Sequence, residues 1–134
     1  MVDIEADVYD RVARAVLAEY PTAFTSSTYV PSPSSFPAMS LTEISSVTNT
    51  PSLDSSGREL MSDLTFEVNV CTNLKVGAKE QARDIARLVD SVMLPMNMTR
   101  TYSSQVTNSA DSSVYRHTAR YVCTAGEDGR IYRR

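Results

Sequence analysis

Asp63-Leu64-Thr65-Phe66-Glu67-Val68-Asn69-Val70-Cys71 alternates apolar and polar side chains without a break, the period-two pattern of a strand with one buried face. A short turn, Asn73-Leu74-Lys75-Val76-Gly77, follows. Beyond it Ala82, Ile85, Ala86, Val89, Val92, Met93 and Met96 recur at steps of three and four, drawing an apolar stripe along one side of a helix. A strand running directly into such a helix must lay the helix back over the sheet, so that each buries the other's apolar surface. Residues 63–96 therefore predict an α+β block, and the rest of the chain is read around it.

Upstream, residues 3–20 predict a helix. Ile4, Val8, Val12, Val16 and Tyr20 form an i, i+4 stripe, Asp3 is positioned to cap, and Glu5 and Asp7 lie where the helix dipole favours negative charge. Pro21 ends it. No charged residue occurs from Thr22 to Thr42. Two short strands are expected there, over residues 23–30 and 36–44, joined by the turn Pro31-Ser32-Pro33-Ser34-Ser35. Met39 and Leu41 should face one side, with Ala38, Ser40 and Thr42 on the other. Such an uncharged region should be covered, by the helices or by another subunit.

Residues 45–62 are polar and rich in turn formers. A connection this long inside a small domain is usually functional or disordered. It is expected to project as a loop or hairpin arm, and Thr50, Leu53, Asp54, Arg58 and Glu59 are the candidate partner contacts on it. Downstream of the helix, strands are expected over residues 98–106 and 114–125. On the second, Tyr115, His117, Ala119, Tyr121 and Cys123 share one face, while Arg116 and Arg120 share the other and could pair with Glu67 if the strands are neighbours. Residues 126–134 should form a turn and tail, with Arg130, Tyr132, Arg133 and Arg134 as further candidate contacts. Ile131 and Tyr132 fit a final strand as well as a docking contact. The order predicts one domain over residues 1–134: a mostly antiparallel sheet of four to five strands with two amphipathic helices on one face.

The chain of 134 residues has a formal net charge of −3, which argues against a dedicated nucleic-acid binder. Charge is unevenly placed, acidic through Glu19 and basic from Arg100 onward, a distribution suited to head-to-tail contacts between copies. The two cysteines, Cys71 and Cys123, have no metal-ligand spacing; they read as reduced, half-buried residues, with a bridge left open. An acidic, helix-forming N-terminus predicts no signal peptide, and the apolar runs are too short for a membrane span. Serine catalysis normally needs a histidine base held by a carboxylate; the single histidine, His117, lies on a strand face without a Gly-x-Ser-x-Gly elbow. Helix-face pairing with Lys79, Arg83 and Arg87 accounts for Glu80 and Asp84 without a metal. The expectation is a protein that is not an enzyme and uses no cofactor.

Several segments occur in a suggestive order: Asp-Ile-Glu-x-x-Val-Tyr (3–9), Tyr-Val-Pro-Ser-Pro-Ser-Ser-Phe-Pro (29–37), Phe-Glu-Val-Asn-Val-Cys-Thr-Asn (66–73) and Ile-Ala-x-Leu-Val-Asp-x-Val-Met (85–93). Thr-Arg-Thr (99–101), Tyr-Arg-x-x-Ala-Arg-Tyr (115–121) and Ile-Tyr-Arg-Arg (131–134) complete the series. Over nearly its whole length the chain resembles small proteins of the head–tail connector gene block in siphophages and prophages of Gram-positive bacteria. In element order it is similar to the tail terminator, or tail completion, family, whose α+β subunits form hexameric rings that cap the tail tube and join it to the head. The resemblance implies a virion structural protein at the head–tail junction, present in the host cytoplasm during assembly. It implies as partners its own copies, the tail tube protein and the head-closure protein, with DNA passing through the ring without specific binding. Another small neck protein (head completion or stopper), or a monomeric module inhibiting a host protein, is the alternative.

Overall fold

The structure, a computed structural model, describes residues 2–30, 33–48, 61–106 and 113–132. Two helices, α1 (Glu5–Glu19) and α2 (Ala78–Met93), accompany six strands: β1 (Phe24–Ser26), β2 (Ala38–Thr48), β3 (Met61–Thr72), β4 (Thr99–Val106), β5 (Tyr115–Gly126) and β6 (Ile131–Tyr132). The fold is α+β, with strand order β1-β2-β3-β5-β4 and β6 pairing with the end of β5.

β3 is the centre of the sheet, antiparallel to β2 on one side and to β5 on the other. Its alternation places Leu64, Phe66, Val68 and Val70 on the helix-covered face, each at most 2% exposed. Directly paired residues share a face, so Met39 and Leu41 of β2 and Ala119, Tyr121 and Cys123 of β5 join them in one core. From above, α1 contributes Val8, Val12, Ala13 and Val16, and α2 contributes Ala82, Ile85, Val89 and Met93. The expected faces of β2, β3, β5 and α2 are those observed.

α2 is launched from Gly77, whose φ of 86° lies in the left-handed region that a Cβ disfavours. The Thr72 hydroxyl ties the strand end to the helix start by donating to Ala78 O at 2.8 Å. Leu94–Met96 closes α2 as a 3-10 turn containing Pro95. Because β3 and β4 are both antiparallel to β5, β3–α2–β4 is a parallel crossover whose gap β5 fills. Asp3 does not cap as expected: the N-cap position is Ile4, and Asp3 Oδ1 only accepts the Glu5 N–H at 3.4 Å.

Three expectations are corrected or narrowed. The first strand is three residues long, not eight, and pairs parallel to β2, Phe24 with Ala38 through Ser26 with Ser40. A parallel pair cannot be closed by a tight turn, and side chains of the connection reach the face opposite the helices. There Tyr29 and Phe36 pack with Ala38, Cys71 and Val114. Second, of the two expectations for residues 45–62, loop or hairpin arm, the described part follows the hairpin: β2 continues to Thr48 and pairs Thr48 with Ser62. Third, of the two expectations for Ile131 and Tyr132 the final strand is the one observed, so residues 126–132 are more than a turn and tail: Ile131 pairs with Ala125 and Tyr132 with Thr124. With β1 and β6, the described residues form six strands, above the four to five expected. Cys71 and Cys123 form no disulfide; both are buried, on opposite faces of the sheet.

Candidate subunit interface

The sequence-derived contact residues divide into three groups. Thr50, Leu53, Asp54, Arg58 and Glu59 lie outside the described residues, as do Arg133 and Arg134. Arg130 and Tyr132 belong to the closing hairpin. The Arg130 N–H donates to Asp128 Oδ1 at 3.0 Å, and the Tyr132 hydroxyl donates to Asp128 Oδ2 at 3.3 Å. The Tyr132 ring lies over Gly126, where a Cβ would stand 2.8 Å from Cε2. Both residues therefore have a folding role, and the Arg130 side chain is left at the surface.

Arg116 and Arg120 sit on the face away from the helices, inside a connected polar ladder. Arg120 Nε donates to Glu67 Oε2 at 3.0 Å, as the pairing of β3 with β5 foresaw. Arg116 does not reach Glu67. Its Nε donates to Asn69 Oδ1 at 2.9 Å, an oxygen that also accepts from Thr118 Oγ1 at 2.7 Å. Asn69 Nδ2 donates to Glu67 Oε1 at 3.1 Å and closes the network. Tyrosines flank it: Arg116 stacks on Tyr29 at 4.2 Å from the ring centroid, and Arg120 lies 5.5 Å from that of Tyr102. These guanidinium groups are held flat by their own sheet. Asn69 is 3% exposed, so Asn69→Ala orphans one acceptor and two donors and is expected to cost about 1–3 kcal/mol. Thermal denaturation checks this; an unchanged midpoint would show that the ladder contributes nothing.

Both sides of the sheet end in open backbone. Every residue of β4 from Thr99 to Gln105 is exposed, and no strand covers its outer edge among the described residues. At the other side β1 covers only Ala38–Ser40, so among the described residues no strand covers β2 from Ile44 to Thr48, with Ile44 46% and Val47 58% exposed. Each open strand carries a register shift, between Glu43 and Ser45 and between Arg100 and Tyr102. Bulges of this kind twist an edge away from indiscriminate pairing.

The two sides differ in charge. Beside β2, the Glu43 N–H donates to Glu5 Oε2 at 2.6 Å, while Glu43 Oε1 is buried with no hydrogen-bond partner. Burial, then the Glu5 and Asp3 charges, raise the Glu43 pKa. A raised carboxyl pKa favours the protonated form in the fold, so its stabilising contribution is present at acid pH and is lost as pH rises through the folded value. Glu43→Gln should therefore stabilise the isolated chain at pH 7, by less than about 1 kcal/mol because the group is partly exposed. It should also flatten the stability profile between acid and neutral pH in urea titrations; an unchanged profile would contradict the reading.

Beside β4 the charge is opposite. α1 and α2 cover β2, β3 and β5, leaving the helix-side face of β4 bare, and an open groove of about 510 Å³ runs between α2 and β4. Lys79, Arg83 and Arg87 line one wall, at i, i+4 and i+8 on α2; Arg100, Ser103 and Gln105 line the other, over a floor of Tyr115, His117 and Tyr121. Arg100 Nη1 pairs with Asp90 Oδ2 at 2.6 Å and Arg87 Nη1 with Asp84 Oδ1 at 3.1 Å. Lys79 and Arg83 have no ion-pair partner among the described residues. Asp90 also accepts the Tyr121 hydroxyl, and burial together with that bond drives the Tyr121 pKa far above the ordinary phenol value. His117 Nε2 bonds Ser103 Oγ at 2.8 Å. Burial, then Arg83 and Arg100, lower its pKa. No carboxylate bonds the imidazole among the described residues, so the pair lacks the group that would orient it as a base.

Among the described residues no cluster of three or more His, Cys, Asp or Glu side chains could hold a metal ion. No helix among them is long and apolar enough to cross a membrane. Comparison with known protein families gives no match, and comparison with curated proteins gives none either.

The groove is the feature that sequence reasoning missed. Its signal was the spacing of Lys79, Arg83 and Arg87, which had been accounted for by pairing with Glu80 and Asp84. Of those pairings only Asp84 with Arg87 forms, at i, i+3.

Proposed function

We propose that this chain is a structural subunit of a phage head–tail junction, acting without catalysis as a tail terminator that assembles into a ring on the tail tube and docks to the head-closure protein. The observation that carries this reading is a single sheet that, among the described residues, is left open on both sides, at β4 and at the distal half of β2. A surface at one side of a subunit that fits a different surface at the other makes a heterologous contact, which closes into a ring when the rotation per copy permits. The family resemblance supplies the hexamer and the partners. The α+β fold agrees with that family's subunits, and the net charge of −3 suits a ring through which DNA slides without being held.

Disruption of the gene in its phage tests the proposal. Filled heads and unattached tails should accumulate separately, and the protein supplied in trans should restore joining. Normal joined particles in its absence would refute the assignment.

A further inference from the structure

We propose that the acidic corner formed by Asp3, Glu5 and Glu43 of one copy seats against the basic α2–β4 groove of the next copy, with the open part of β2 lying beside β4. The inference rests on the reading of the chain as a self-assembling subunit, and its test needs no virion.

Strand polarity permits the arrangement. β2, β3, β5 and β4 alternate in direction across the sheet. When a second copy is added in the same orientation, its β2 therefore runs antiparallel to the first copy's β4, and the helices of both copies stay on one side. Glu43 pairs with Phe66, so its side chain is on the helix side. The groove opens on that same side of β4, between it and α2. The acidic corner and the basic groove thus face the same side of the shared sheet; the registers set Glu43 level with Arg100 through Phe66 and Tyr121, so a stagger between copies brings the corner to Lys79 and Arg83.

Each half lacks what the other offers. In the corner, Glu5 Oε2 is committed to the Glu43 N–H, Glu43 Oε1 is buried without a partner, and Asp3 makes only the 3.4 Å contact to Glu5 N. In the groove, Lys79 and Arg83 are the cations without an ion-pair partner among the described residues, one helical turn apart on the exposed side of α2. A guanidinium brought against the exposed Asp3 carboxylate makes a charge-assisted hydrogen bond, the stronger kind. It also relieves the repulsion among three carboxylates that an isolated subunit retains. Rim charges of this type act over about a Debye length, roughly 8 Å at physiological salt, so the contact is salt-sensitive and orients copies before they touch.

The test is a charge swap read by analytical ultracentrifugation of the full chain. Asp3 and Arg83 are both exposed, so Asp3→Lys and Arg83→Glu should leave the far-UV circular dichroism spectrum and melting midpoint unchanged. Wild type should self-associate at low salt and dissociate at high salt. Each variant alone juxtaposes like charges and should associate at least about tenfold more weakly. A mixture of the two restores opposite charges at every contact and should recover association. A wild-type chain that stays monomeric at low salt overturns the proposal. So does a mixture that associates no better than its parts, or a groove that binds inorganic pyrophosphate through Arg83 while the protein remains monomeric. Recovery in the mixture together with normal joining after disruption of the gene would support the contact and count against the junction reading; no recovery together with joining lost on disruption would do the reverse.

Discussion

Replacing Phe66 with alanine is expected to remove about 3–5 kcal/mol of folding stability. Phe66 is fully buried in the middle of β3, paired with Glu43 on one side and with Tyr121 on the other. The sheet offers little means of collapse around it. Tyr121 is held through its hydroxyl to Asp90, and β3 is paired on both sides, so the cavity would stay open. Domains of this size are stable by only about 5–15 kcal/mol, which makes the loss a large fraction of the total. The melting midpoint should fall by on the order of 10–20 °C, measured by circular dichroism. A loss below about 1 kcal/mol would mean that the helix-facing side of β3 is not the core.

The other large effect concerns assembly. Residues 49–60, which connect β2 to β3, are expected to be replaceable by a tight turn without loss of folding, while head–tail joining is abolished. β2 and β3 are paired as far as Thr48 and Ser62, and β5 flanks β3 to its first residue, Met61 with Gly126. The sheet therefore does not depend on the connection for its register. Thr50, Leu53, Asp54, Arg58 and Glu59 all fall in the replaced stretch, and removing them together takes away the proposed contact with the tube or the head-closure protein. Joined, infectious particles carrying the shortened subunit would withdraw the connection from the contact surface. A shortened chain that no longer melts cooperatively would instead give it a folding role.

Legibility from sequence followed the range of the interactions. The alternation of Leu64, Phe66, Val68 and Val70, the α2 stripe from Ala82 to Met93 and the two faces of β5 were readable, because one period in one segment encodes which side is buried. The parallel pairing of β1 was not. An uncharged strand of three residues carries no mark of its direction, and the packing of Tyr29 and Phe36 on the face away from the helices depends on where Arg116 and Cys71 lie in a register set elsewhere. The polar ladder was half legible. Glu67 and Arg120 were matched in advance, but Asn69 as the acceptor joining Arg116 to Thr118 needs the register of two strands about 50 residues apart in sequence. The groove was hidden for a further reason: the sequence counts the cations on α2 but does not say that the helix stops one strand short of covering β4.

Cryo-electron microscopy of the intact virion tests the central claim most directly. The account predicts a ring of copies of this chain between the end of the tail tube and the head-closure layer, with β4 of each subunit beside β2 of the next. Density for the chain anywhere else in the particle, or its complete absence from purified virions, would contradict it.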